Sequence, residues 1–268
     1  FTRLNDLTVD SLGRVAAAYG SYVANSTNAH YAVRVMTSTG AVAWTYVGFA
    51  QQGWSLAAGL GGDLYLGLYR SALAMRFDAA GSLKWTKTVA PAGASFATIA
   101  DVVVDASGAP IVVAIGDNNA VLVRELKRNN GATQWSSSQP SGTVALLGLA
   151  GGDPILSQAN RLARLSATNG ATLWAVATSG AGEPIANADG VTLAFGDHLD
   201  TFALTTGALT GSLAVPADAG PLGPPAFDAF SDRGFVLGGG RMACVGPLPP
   251  PPTLCTPVPL GFTAIAFD

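Results

Sequence analysis

The chain has 268 residues, a formal net charge of −3, only 12% charged residues, 33 glycines, 16 prolines and two cysteines. With 49% hydrophobic residues it has the material for a sizeable core and is excluded from the disordered class. The negative balance, with no Lys/Arg cluster larger than Lys127-Arg128, argues against a dedicated nucleic-acid surface. No apolar run approaches the length of a transmembrane helix, roughly 18 residues or more.

Along the chain the elements repeat. Leu7-Thr-Val9 leads into the turn Asp10-Ser-Leu-Gly13. An alternating segment, Tyr31-Ala-Val-Arg-Val-Met36, then runs to Gly40, with Trp44 four residues on. The second unit has Gly61-Gly-Asp63, the apolar strand Leu64–Tyr69, the segment before Gly81, and Trp85. The third has Asp105-Ala-Ser-Gly108, Ile111–Ile115, Gly131 and Trp135; the fourth has Gly151-Gly-Asp153, Gly170 and Trp174. In the fifth, Gly207 and Gly211 keep the frame but the Trp is lost. Successive Trp residues stand 41, 50 and 39 residues apart, close to the repeat of about 40–45 residues for a four-stranded propeller blade. Alternation predicts half-buried strands, the Asp/Gly turns an inner hairpin, and the Gly before each Trp an outer hairpin that needs positive φ.

Looser turns at Ala188-Asp-Gly190 and Asp232-Arg-Gly234 bring the inner hairpins to six, which predicts an all-β, six-bladed β-propeller, one domain with blades near 1–49, 50–92, 93–140, 141–179, 180–219 and 220–268, and almost no helix. The last blade lacks its outer strand: Phe262–Asp268 matches the third strand of blade two, and the chain stops before the expected Gly. A longer parent chain, a three-stranded blade, or a partner adding a donor strand beside residues 262–268 would each account for this.

The phrases Ala167-Thr-Asn-Gly170-Ala-Thr-Leu-Trp174, Phe77-Asp-Ala-Ala-Gly81 and Asp105-Ala-Ser-Gly108 resemble the tryptophan-docking repeat of PQQ-type propellers and the repeat of secreted bacterial β-propellers. That resemblance implies that Trp44, Trp85, Trp135 and Trp174 are structural and pack between blades. It also implies an exported or envelope protein of the non-enzymatic branch. PQQ dehydrogenases use a vicinal disulfide, whereas Cys244 and Cys255 are separated by a proline-rich decapeptide. A disulfide between these two is expected in an oxidising compartment, and pairing would pin a stiff loop.

No catalytic residue is assigned. His30 and His198 are the only histidines, and His198 is read into a turn, Gly196–Asp200, with no nucleophile context around it. No cofactor is expected; Ca²⁺ is the one ion the Asp turns would suit, but Asp10 and Asp105 each supply one carboxylate, and an Asp bonding its own turn explains them without an ion. The candidate binding face is built by the crossover loops: Gln51, Gln52, Trp54, Ser95, Phe96 and Gln139. The expected function is a non-catalytic binding or scaffold protein of the bacterial surface that contacts protein or glycan. The alternatives are a glycan lyase or hydrolase at the channel mouth, and a structural subunit completed by a partner strand.

Overall fold

A computed structural model describes residues 2–21, 30–49, 52–186, 190–195, 198–214, 222–228, 233–239, 243–244 and 262–267. They form six four-stranded sheets. Sheet 1 is β1 (Thr2–Val9), β2 (Val15–Ser21), β3 (His30–Met36) and β4 (Val42–Phe49); sheet 2 is β5 (Gln52–Ala58), β6 (Leu64–Tyr69), β7 (Leu73–Phe77) and β8 (Leu83–Thr88). Sheet 3 is β9 (Ala97–Val104), β10 (Pro110–Gly116), β11 (Val121–Leu126) and β12 (Thr133–Gln139); sheet 4 is β13 (Ala145–Ala150), β14 (Asp153–Gln158), β15 (Arg161–Leu165) and β16 (Thr172–Ala177). Sheet 5 is β17 (Ile185–Ala186), β18 (Gly190–Ala194), β19 (His198–Ala203) and β20 (Leu209–Ala214). In these five, strands consecutive in the chain are neighbours in the sheet, the simplest antiparallel meander. Among the described residues the only helical element is the single 3₁₀ turn Leu60–Gly62, and no helix is long and apolar enough to cross a membrane.

Sheet 6 departs from the meander. Its strands β21 (Leu222–Asp228), β22 (Arg233–Gly239) and β24 (Phe262–Phe267) are antiparallel neighbours, and no antiparallel outer strand follows among the described residues. The edge of β24 is not bare: β23 (Ala243–Cys244) pairs with it in parallel, Ala243 opposite Ile265 and Cys244 opposite Ala266. Two residues of the same chain therefore sit on the edge for which a partner's donor strand was one of three explanations. Cys255 and the proline-rich loop lie outside the described residues, and so does the disulfide expected between Cys244 and Cys255.

The chain divides into two compact units, Phe1–Leu147 with Ser166–Ala171, and Gly148–Leu165 with Thr172–Asp268. Inside the first, one apolar cluster joins sheets 1 and 2 through Val33, Val35, Leu64, Leu66 and Phe77. A second joins sheets 2 and 3 through Tyr65, Trp85, Ile99, Val112 and Leu126. Inside the second unit, Ile155, Leu162, Val191, Leu193 and Phe202 play the same part for sheets 4 and 5. Both faces of the middle strands are covered, so β10 and β14 are buried along nearly their whole length instead of alternating, as strands covered on both sides do.

The Gly-x3-Trp phrase resolves into a docking joint. Each indole N–H donates to a backbone carbonyl in the outer hairpin of the next repeat: Trp44 to Ala79 (3.1 Å), Trp85 to Arg128 (2.9 Å), Trp135 to Ala167 (2.8 Å) and Trp174 to Leu204 (2.7 Å). The glycine of that next hairpin lies under the ring. Gly81 and Gly207 have φ of 83° and 71°, and a Cβ on either would meet the Trp44 or Trp174 ring at 2.6 Å. Glycine is required there twice, by the left-handed backbone and by the ring against it. The Ser166–Ala171 hairpin belongs to the first unit through this joint with Trp135.

An arginine reinforces three of these joints at the same carbonyl. Arg14 Nη1 reaches Ala79 O (2.7 Å), Arg76 Nη1 reaches Arg128 O (3.0 Å), and Arg164 Nη1 reaches Leu204 O (2.7 Å). Each arginine is held by an aspartate of its own inner turn, namely Asp10, Asp63 and Asp153. In sheet 3 the residue opposite Trp135 is Glu125 instead of arginine. Burial raises its pKa, and Gln134 Nε2 donates to its carboxyl at 2.5 Å.

Candidate functional site

In a meander the turns between first and second strands and between third and fourth lie at one end of the sheet. The crossovers and the loops between second and third strands lie at the other. At this crossover end, within the first unit, a cavity of about 330 Å³ opens between sheets 2 and 3 and the start of β13. Its wall carries Trp54, Tyr69, Phe96, Asp117 and Val144, and Ala100, Ile115 and Leu146 also line it. Trp54, Phe96 and Val144 are 36%, 52% and 39% exposed. Three large apolar side chains left to water thus converge on one cavity instead of being scattered singly over the surface.

The cavity is built by β-bulges. Along β5 the ladder runs Gly53 opposite Leu68 and then Ser55 opposite Gly67, so Trp54 is the extra residue. Along β9 Ala100 is the extra residue between Ile99 and Asp101. A bulge re-aims side chains. Trp54 and Ala100 are delivered to the cavity, while the residues after them, Ser55 and Asp101, turn to the next strand. Ser55 Oγ accepts the Val102 N–H (3.1 Å) and donates to Asp101 Oδ1 (2.9 Å). Asp101 Oδ2 accepts the Leu147 N–H (2.8 Å). A bulge at Asn5 in β1 continues the pattern, with Asp6 Oδ2 accepting the Leu56 N–H (2.6 Å). This belt ties β1, β5, β9 and β13 together directly beside the cavity.

Its electrostatics are tense. Burial pushes the Asp101 carboxyl up to about 6, against the three hydrogen bonds that favour its charged form, and the Asp6 charge adds to the rise. Loss of hydration disfavours the charged carboxylate more than those bonds restore. Burial likewise raises Asp6.

One wall is a stack. The Trp54 and Tyr69 rings lie 4.9 Å apart at 28°, and the Arg70 guanidinium sits 5.3 Å from the centre of the Tyr69 ring. Arg70 and Ala72 adopt φ of 58° and 54°. That conformation disfavours side chains, and the strain is held from outside. Thr98 Oγ1 accepts the Arg70 N–H (3.2 Å) and the Ala97 carbonyl accepts the Ala72 N–H (2.8 Å). Asp117 is fixed by accepting the Ser95 N–H (3.0 Å).

Of the residues expected on this face, Trp54 and Phe96 are brought together. Ser95 contributes its backbone to hold Asp117. Gln139 ends β12, where its amide donates to Ser137 Oγ (2.8 Å), and it does not line the cavity. Gln51 lies outside the described residues; Gln52 pairs with Tyr69 through its backbone, and its side chain is outside the description. Tyr69, Asp117 and Val144 were missed by sequence reasoning. Placing the loop ends of Leu64–Tyr69 and Ile111–Ile115 on the crossover face would have found the first two. The belt also had a signal: Asp6 and Asp101 each stand four residues before a turn aspartate, Asp10 and Asp105.

Asp10 Oδ1 accepts the Leu12 and Arg14 N–H groups, and Asp105 Oδ1 accepts those of Ser107 and Ala109. Both carboxylates therefore cap their own turns. Among the described residues no group of three or more His, Cys, Asp or Glu side chains is placed to hold a metal. His198 opens strand β19 instead of lying in a turn, because the reversal between β18 and β19 is tighter than the sequence suggested: the Phe195 N–H already reaches the His198 carbonyl (2.8 Å). Its ring faces Phe195 at 4.9 Å.

No protein-family model and no curated protein matches the sequence. Solved structures do match. A streptogramin B lyase aligns with a TM-score of 0.62 at 11% identity, covering 86% of this chain and 74% of its own. A protein of unknown function from Bacteroides caccae aligns at 0.55 and 13%, covering 82% and 81%. BamB from Moraxella catarrhalis aligns at 0.53 and 16%, covering 88% and 74%. At these identities the likeness concerns the fold alone. With its succession of four-stranded sheets and its helix-poor chain, the protein is an all-β β-propeller.

Proposed function

We propose that this propeller is a non-catalytic binding or scaffold protein that contacts a protein or glycan ligand through the Trp54–Phe96 cavity at its crossover end. The observation that carries the reading is the convergence of Trp54, Phe96 and Val144, exposed and apolar, on one cavity from three successive repeats. A surface left wet at that cost is kept for a partner. Chemistry of the glycosidase type needs two carboxyl groups flanking the bond. Asp117 is the one carboxylate among the described residues lining the cavity, which favours binding. The similarity to BamB, as likeness of fold only, is compatible with this reading.

The test is a paired screen of the purified chain on glycan and peptide arrays, wild type beside Trp54→Ala and Phe96→Ala. A binder weakened by both substitutions is expected. A binder indifferent to both would move the contact surface elsewhere. The proposal extends to export from a bacterial cell, supported by the Cys244/Cys255 pair, since disulfides persist in oxidising compartments. Thiol titration of the native protein then finds no free thiol before reduction; two free thiols would contradict it.

A further inference from the structure

The same cavity narrows its ligand's chemistry, an inference that rests on the cavity being the binding face. Arg70, Tyr69 and Trp54 form a cation–ring–ring series, with Trp54 at the open end. Phe96, half exposed, lines the same cavity, and so does the Asp117 carboxylate, held there by the Ser95 N–H. The remaining surface is largely hydrocarbon, from Ala100, Ile115 and Leu146.

Four candidate guests fit this lining unequally. A sugar stacks well on Trp54 but brings hydroxyls that hydrocarbon walls leave unpaired. A neutral apolar group suits the walls but strips water from Asp117 and returns nothing to it. A methylated ammonium satisfies both: its methyl groups pack on rings and aliphatic walls, its charge is attracted to the ring faces, and Asp117 balances it. A bare ammonium is more strongly hydrated and gains less from apolar walls.

We propose that the cavity binds a trimethylammonium group carried by that ligand, with Trp54 and Phe96 contacting the methyl groups and Asp117 as counter-charge. The test is calorimetric titration with choline and with 3,3-dimethyl-1-butanol, its uncharged isostere. Choline is expected to bind roughly tenfold more tightly than the alcohol. Trp54→Ala should abolish choline binding, Trp54→Phe should retain part of it, and Asp117→Asn should weaken choline about fivefold or more while leaving the alcohol unchanged. Equal affinity for the two compounds, no binding of choline, or full choline binding by Asp117→Asn would each overturn the cation assignment. Equal binding that Trp54→Ala removes from both would overturn it while leaving the binding face intact, and the array screen tests that face separately. Circular dichroism of each variant checks that the fold is retained.

Discussion

The two ends of the sheets use tryptophan in opposite ways. At the hairpin end Trp85 and Trp135 are 9% and 7% exposed, and every docking indole donates to a carbonyl of the next repeat. At the crossover end Trp54 is 36% exposed, sits on a bulge, and stacks on a tyrosine carrying a cation. The first arrangement repeats and is satisfied; the second occurs off the repeat frame and is unfinished. Periodicity in this chain marks what holds the sheets together, and on the proposed function departures from it mark what is left to meet a partner.

Substitutions at each end probe that contrast. The largest effect is expected at the joint. Trp85→Ala removes a buried ring and strips the Arg128 carbonyl of its indole donor, so urea unfolding should show a loss of about 3–5 kcal/mol. Asp63→Asn comes next. Its carboxylate anchors both Arg76 (2.8 Å) and Arg128 (2.7 Å). Neutralising it leaves two cations without their shared counter-charge, a loss of roughly 2–4 kcal/mol in the same assay. Gly81→Ala places a Cβ against the Trp44 ring at positive φ and should cost about 1–3 kcal/mol. Were these three to leave stability unchanged, the hairpin end would not be the structural one.

The belt beneath the cavity gives a pH-dependent prediction. A carboxyl raised from 3.8 to about 6 on folding binds its proton more tightly in the native state. Its stabilising contribution is therefore complete below about pH 4 and is lost as pH rises through about 6. The difference in unfolding free energy between wild type and Asp101→Asn should shift by about 2–3 kcal/mol between about pH 4 and pH 7, favouring the wild type at the acidic end. A pH-independent difference would remove the tension assigned to this carboxylate. Trp54→Ala is expected to have the smallest effect on stability, within about 1 kcal/mol, because its side chain is already partly in water.

Much of the fold was legible because its joints recur at fixed spacing. Gly81, Gly131, Gly170 and Gly207 all take the positive φ that their hairpin position demanded, and Trp44, Trp85, Trp135 and Trp174 all dock. What the spacing could not show was how each joint is finished. Arg14 sits in an inner turn and Arg76 at the end of a third strand, yet both reach the equivalent carbonyl, because the sheet brings these distant positions side by side. The site was half legible. Trp54 and Phe96 stood out as aromatics off the frame. Asp117 and Tyr69 reach the cavity only through loop closure, and although Asp6 and Asp101 recur four residues before a turn aspartate, the bulges that aim them and Ser55 leave no signal in the sequence. Sheet 6 was read as ending on an open edge; the two residues of β23 occupying part of it come from a segment whose parallel return no local pattern announces.

The most direct test of this division is to measure thermal unfolding and array binding together on the Trp54→Ala, Phe96→Ala double variant. A midpoint within a few degrees of wild type is expected, as for exposed substitutions, together with loss of the wild-type binders. A variant that unfolds much earlier while keeping its binders would overturn the division between a structural hairpin end and a binding crossover end.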